Sequence, residues 1–220
     1  GKSLTHDSVC LFDLDLRLPT ISSILESHPQ KTFYDLFETL ANKTYQIPAE
    51  MQTEIATRQK TLQENPDSPQ AHFELAMSYA YNGRIEEGWA ELKKLDKSYA
   101  SVIIKKYSEL SKKNPQEWKH KFKLAFGYYF NEQKDLTQEI FQEILEKNPQ
   151  NFWVMGFLAL VKGEIGETDA AIQLCQKALK IGPKATAIHF LLAQAFFKKG
   201  DYFGFVGESL ITLRLKSEED

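Results

Sequence analysis

Side chains that titrate, ligate or attack are spread thinly along this chain of 220 residues. Its five histidines, His6, His28, His72, His120 and His189, contain no i, i+4 pair and no His-Glu-x-x-His, the spacing that sets two imidazoles on one helix face around a zinc ion. The two cysteines, Cys10 and Cys175, are too few for a disulfide framework. Cys175 falls on an apolar helical stripe, where a thiol behaves as a small buried hydrophobe rather than a nucleophile. Nothing in the sequence forms a glycine-rich phosphate loop. The residues therefore point to a protein that is not an enzyme, with no cofactor and no metal.

Two further stretches carry charge. The run "KKYSELSKKNPQEWKHKFK", Lys105 to Lys123, is locally basic, with Glu109 and Glu117 inside it. It reads as a solvated helix face, with contact to an acidic partner as the sharper alternative. Nucleic acid is set aside, because the net charge is -3 and no aromatic residues interleave with the lysines on one face. In "CLFDLDLRLP", Cys10, Phe12, Leu14, Leu16 and Leu18 alternate with Leu11, Asp13, Asp15 and Arg17, the period of a strand. Its Asp-x-Asp superficially resembles that of haloacid-dehalogenase-like phosphotransferases, where the first Asp is nucleophile and Mg²⁺ ligand. That site requires a following parallel αβ domain, whereas this chain turns helical, so an amphipathic segment is the better reading.

The elements that would position any site come from a repeat. Leu-Ala recurs at Leu75-Ala76, Leu124-Ala125, Leu158-Ala159 and Leu192-Ala193, with final intervals of 34 residues and a first interval of 49. Pro66, Pro115, Pro149 and Pro183 each stand 9 residues before a Leu-Ala. Two interlocked series at one period predict stacked helical hairpins. Each unit reads as a helix of about 13 residues, a turn at Gly83, Gly166 or Gly200, and a second helix. In the second unit Glu132 stands at the turn instead. Thr168 and Asp169 read as caps for one second helix, and Gly182-Pro183 ends it.

These features resemble the tetratricopeptide repeat (TPR) family, most clearly in "NFWVMGFLALVKGEIGETDAAIQLCQKALKIGP" and well in "SPQAHFELAMSYAYNGRIEEGWAELKKL". The resemblance covers about residues 66–215 and weakens after Tyr202. It implies an all-α fold, a right-handed superhelical array of helix-turn-helix hairpins, at residues 69–98, 118–149, 152–183 and 186–215. The extra 15 residues place an additional helix near 101–113, either a third helix of its hairpin or a continuation of the helix before it. Residues 49–66 read as a capping helix, 67–215 as the array and 216–220 as a tail. Residues 1–48 read as a helical N-terminal extension that begins with an extended arm.

The TPR register implies a concave surface lined by the first helices. That assigns Phe73, Met77 and Tyr81 from the first hairpin, and Lys119, Phe122, Lys123, Phe126, Tyr129 and Phe130 from the second. Trp153, Phe157 and Leu160 follow from the third, and Phe190, Gln194, Phe197 and Lys198 from the last. The family's carboxylate clamp needs Asn-type residues where this chain has Met77, Phe126, Leu160 and Gln194, which argues against a clamp. An aromatic groove edged by lysines suits a hydrophobic or amphipathic peptide or helix of a partner protein. Three occupants compete for these rings: neighbouring first helices packing on one another, a partner segment, or an intramolecular cover by residues 9–19.

The expected function is thus a protein-interaction scaffold. The alternatives are an assembly component that forms homo-oligomers, or part of a larger secretion or enzyme complex. The longest apolar run, "NFWVMGFLALVKG", stops short of a membrane span. Scarce cysteine tilts the localisation toward a reducing cytoplasm. The sequence begins "GKSLTHDS" with no initiator Met, which leaves an upstream extension open.

Overall fold

The structure is a computed structural model that describes residues 49–219. The expectations for the strand-like arm, its cover of the groove and the helices before residue 49 lie outside the described residues.

Ten α-helices and no strand occur among the described residues. They are α1 (Ala49–Glu64), α2 (Pro69–Ala80), α3 (Ile85–Leu92), α4 (Ala100–Lys113), α5 (Trp118–Phe130), α6 (Lys134–Lys147), α7 (Phe152–Glu164), α8 (Thr168–Ile181), α9 (Thr186–Lys199) and α10 (Tyr202–Glu219). Four hairpins, α2–α3, α5–α6, α7–α8 and α9–α10, stack in sequence as an all-α superhelical repeat, and α1 packs on α2.

Local chemistry sets the helix ends. Ser68 accepts the Ala71 N–H at 3.3 Å with Pro69 behind it, and Asn151 accepts the Val154 N–H at 3.2 Å. For α8 the expected capping differs. Glu167 holds the N-cap position without a side-chain capping bond, its carboxylate turned to Lys162 at 2.7 Å, and Asp169 sits in the first turn, where it is drawn to Lys199 at 2.6 Å. All four hairpin turns pass through the left-handed region, at Gly83 (φ 72°), Glu132 (61°), Gly166 (91°) and Gly200 (81°). Three are glycines for the usual steric reason, while Glu132 takes the same conformation against its preference and forms an ion pair with Lys97.

Each hairpin closes over a small residue. A Cβ on Gly88 would stand 3.2 Å from the Ala76 carbonyl oxygen, and Thr137 donates to the Ala125 carbonyl at 3.4 Å. Ala159 and Ala171 share one buried cluster. In the last hairpin Gly204, not its neighbour Phe205, takes the close approach, against Phe196. That one-residue shift explains why the repeat pattern weakens after Tyr202.

The extra helix α4 is a separate element. Leu92 ends α3, and a 3-10 turn over Lys97–Tyr99, capped by Asp96, redirects the chain. α4 then packs on α5 as α6 does on α7 and α8 on α9. It comes close because α5 has Gly127 there, where a Cβ would lie 2.8 Å from Ile103 and 3.0 Å from Ile104. α7 is apolar on all sides because two clusters claim it: Phe157 and Val161 join the core from α2 to α6, and Trp153 and Met155 join the core from α8 to α9. None of the described helices is long and apolar enough to cross a membrane.

Candidate functional site

The first-helix rings form a continuous seam. Phe122 has no exposed surface and meets Tyr81 at 4.9 Å, Phe126 at 5.0 Å, Phe157 at 5.3 Å, Phe141 at 5.7 Å and Trp118 at 5.9 Å between centroids. Phe126 meets Phe157 at 5.1 Å. Phe73 and Met77 are fully enclosed in the same cluster, and Tyr81 is buried beside them. These rings therefore pack against one another between neighbouring hairpins, one of the three occupancies weighed for them. Trp153 and Leu160 are also buried, and the Trp153 indole lies against Gly83, where an added Cβ would fall 2.0 Å from it.

The remaining positions divide. Tyr129 is half-buried and donates to Glu164 at 2.7 Å; burial raises its phenol well above the ordinary value, and the Glu164 carboxylate adds to this. Phe130 is half-buried against Trp89. Phe190 is half-buried, Gln194 is buried, and both are engaged by other groups, as is Trp153. Lys119 pairs with Glu54 at 2.5 Å, and Lys123 is buried. Phe197 alone among the aromatic positions is open, at 54% exposure.

Phe197 belongs to a ring cluster around the turn of the last hairpin, with Tyr202 at 6.0 Å and Phe205 at 5.2 Å. Tyr202 (55%) and Phe203 (59%) are as exposed as Phe197. Sequence reasoning missed Tyr202 and Phe203, since both lie where the register decays; the signal was the density of rings in "FFKKGDYFGF" itself. Lys198 donates to the Gly163 carbonyl at 3.1 Å, while Lys199 is paired with Asp169.

A polar knot joins α1, α2, α4 and α5. Glu74 lies 2.5 Å from Lys123, 3.5 Å from Lys106 and 3.8 Å from Arg58, and accepts from the Tyr107 hydroxyl and from Gln70 at 2.6 Å. Burial works to raise the Glu74 carboxyl, but Lys123, Tyr107 and Arg58 outweigh it and hold it below the ordinary range. Burial also pulls the Lys123 ammonium down, and Glu74 restores only part. The Tyr107 hydroxyl is raised by burial and by the carboxylate beside it.

His72 and His189, which showed no metal spacing in the sequence, are hairpin staples. His72 places Nδ1 2.5 Å from Glu91 and Nε2 2.9 Å from the Pro66 carbonyl. His189 repeats the pattern with Glu208 at 2.6 Å and the Pro183 carbonyl at 2.9 Å. Each ring ties the entering loop to the second helix of its hairpin. In the third hairpin the equivalent positions hold Met155 and Leu174, an apolar solution to the same contact. Cys175 is 1% exposed, and burial pushes its thiol up to about 12, with Glu208 adding to this. No group of three or more His, Cys, Asp or Glu that could hold a metal ion occurs among the described residues.

No protein-family model matches the chain, and no curated protein matches it. Solved structures do. MamA 41-end from Desulfovibrio magneticus RS-1 is 12% identical, with a TM-score of 0.50 over 86% of this chain and 96% of its own. A MamA RS-1 double mutant gives the same values. A further MamA crystal structure is 19% identical over 80% of this chain and 98% of its own, with a TM-score of 0.44. At such identities the likeness is one of fold. With the 34-residue beat, the four hairpins and their small-residue crossings, it gives this chain a TPR-like helical repeat fold.

Proposed function

We propose that the chain is a non-catalytic protein-interaction scaffold. Its partner contact is a hydrophobic or amphipathic segment of another protein, bound along the first-helix face and anchored at the end of that face formed by the last hairpin. The observation that carries this reading is the exposure of Phe197 and Tyr202 beside Lys198, whose ammonium meets a carbonyl rather than a carboxylate. Exposed clustered rings tend to mark interaction sites, and a neighbouring cation favours a segment with an acidic residue at its edge. The buried rings from Phe73 to Phe157 contribute rigidity to that face. Tyr129, Phe130 and Phe190 are the half-buried ring positions of that face.

A second reading, self-association, is favoured by Leu213, 41% exposed on the final helix, because terminal repeats that lack a polar outer face invite stacking. A photo-crosslinking residue at position 197, with another at exposed Gln173 on α8 as control, separates the two readings. The scaffold reading expects products from position 197 only, mapping to an amphipathic segment of a different protein and lost with Tyr202→Ala. Identical products from both positions overturn it, and products joining two copies of this chain replace it with self-association.

A further inference from the structure

An open cavity of about 720 Å³ lies far along the chain from the Phe197 cluster. Its walls are Glu54 and Arg58 of α1, Lys113 at the end of α4, and Lys119, His120 and Lys123 of α5. Two of those three helices, α1 and α4, stand outside the four hairpins, so the cavity is not a product of the repeat itself.

Its charges do not balance. Arg58, Lys106, Lys113, Lys119 and Lys123 stand at or behind the wall, against Glu54, Glu74 and Glu117, which leaves two positive charges in excess. Glu54 is committed to Lys119 at 2.5 Å. Glu74 is shared by three cations, and the nearest, Lys123, holds it most closely. Arg58, at 3.8 Å, is its most distant cation. Lys113 is exposed and has no acidic partner among the described residues. Like charges held along one concave wall raise the local concentration of counter-charge, more strongly than on an open surface.

The geometry points to an anion site that takes the carboxylates of an acidic peptide segment, with Arg58 and Lys113 as the principal contacts. The cavity volume falls within the range of small-ligand sites, enough for a few side chains rather than a nucleic-acid duplex. The net charge of -3 disfavours a long polyanion. This site does not rest on the reading of the Phe197 end.

Fluorescence anisotropy on the full chain tests it with three labelled probes: a hexapeptide of alternating Asp and Glu, its Asn/Gln counterpart, and a single-stranded hexanucleotide. The acidic peptide is expected to bind at least about tenfold more tightly than either other probe and to weaken as salt is raised. Arg58→Ala/Lys113→Ala, and Lys113→Glu alone, are expected to weaken it about tenfold or more, while Phe197→Ala/Tyr202→Ala leaves it unchanged. Lys113 is exposed and needed by no contact of the fold, so Lys113→Glu reads the site without disturbing the array. Equal binding of the neutral peptide, tighter binding of the oligonucleotide, or binding unaffected by both cation variants overturns the site.

Discussion

Truncating Phe122 to alanine separates the rings that hold the array together from those left to meet a partner. Phe122 is wholly enclosed, with five ring centroids between 4.9 and 5.9 Å, drawn from α2, α5, α6 and α7. A buried Phe→Ala change costs about 3–5 kcal/mol, and tilted ring pairs add roughly 0.5–1.5 kcal/mol beyond the area they bury, so the upper end, about 4–5 kcal/mol, is expected here. For a chain of this size that corresponds to a fall in Tm of roughly 8–20 °C. Phe197→Ala removes a ring that is 54% exposed and should change stability by no more than about 0.5 kcal/mol. Urea denaturation followed by far-UV circular dichroism measures both. Because Phe122 sits between three hairpins, its loss should also broaden the transition by uncoupling neighbours. A Phe122→Ala cost under about 1 kcal/mol, or a Phe197→Ala cost above about 2 kcal/mol, refutes this division of the rings.

The buried knot predicts an asymmetric cycle. Glu74→Leu strands the enclosed Lys123 ammonium and should cost about 3–5 kcal/mol, Lys123→Met leaves Glu74 with Lys106, Arg58 and Tyr107 and should cost less, and the double variant should lie closer to wild type than Glu74→Leu does. Because Glu74 and Glu54 are held below 4.5 when folded, the stability they supply is complete above that value and is lost as the pH falls through the folded values. A pH series of urea midpoints should show this loss in the wild type and a shallower one in Glu74→Gln. At the staple, His189→Ala should cost about 1–3 kcal/mol by leaving Glu208 and the Pro183 carbonyl unmatched, whereas His189→Met/Glu208→Leu, copying Met155 and Leu174 of the third hairpin, should be nearly neutral by thermal melting. Glu132→Gly relieves a left-handed backbone and should raise the melting midpoint slightly despite the loss of the exposed Lys97 pair, read from the same melts.

The fold was legible because its signals are local and periodic. Leu-Ala pairs, prolines and turn residues mark where helices must cross closely, begin and reverse, and each is a short-range demand on one residue type. Even the odd turn at Glu132 was visible as a missing glycine. The placement of α4 was less legible, because it depends on Gly127 making room for Ile103 and Ile104, a contact between segments that no local pattern announces. The candidate site was legible only by half. The register grouped Phe122, Phe126 and Phe157 on one face, and their rings meet in one buried seam, but a helical wheel cannot say whether the neighbouring hairpin covers that face. Burial answers that question, and it leaves Phe197 open with Tyr202 and Phe203. The histidine staples were hidden for a different reason. Their partners lie 6 residues back and 19 residues ahead, and a carbonyl partner leaves no trace in residue type.

The central claim, that this array binds a partner segment at the exposed ring cluster of its last hairpin, is tested most directly by crosslinking from position 197. The account predicts products mapping to an amphipathic segment of a different protein, abolished by Tyr202→Ala and absent from position 173. Products that are the same from both positions, or that survive Tyr202→Ala unchanged, would contradict it.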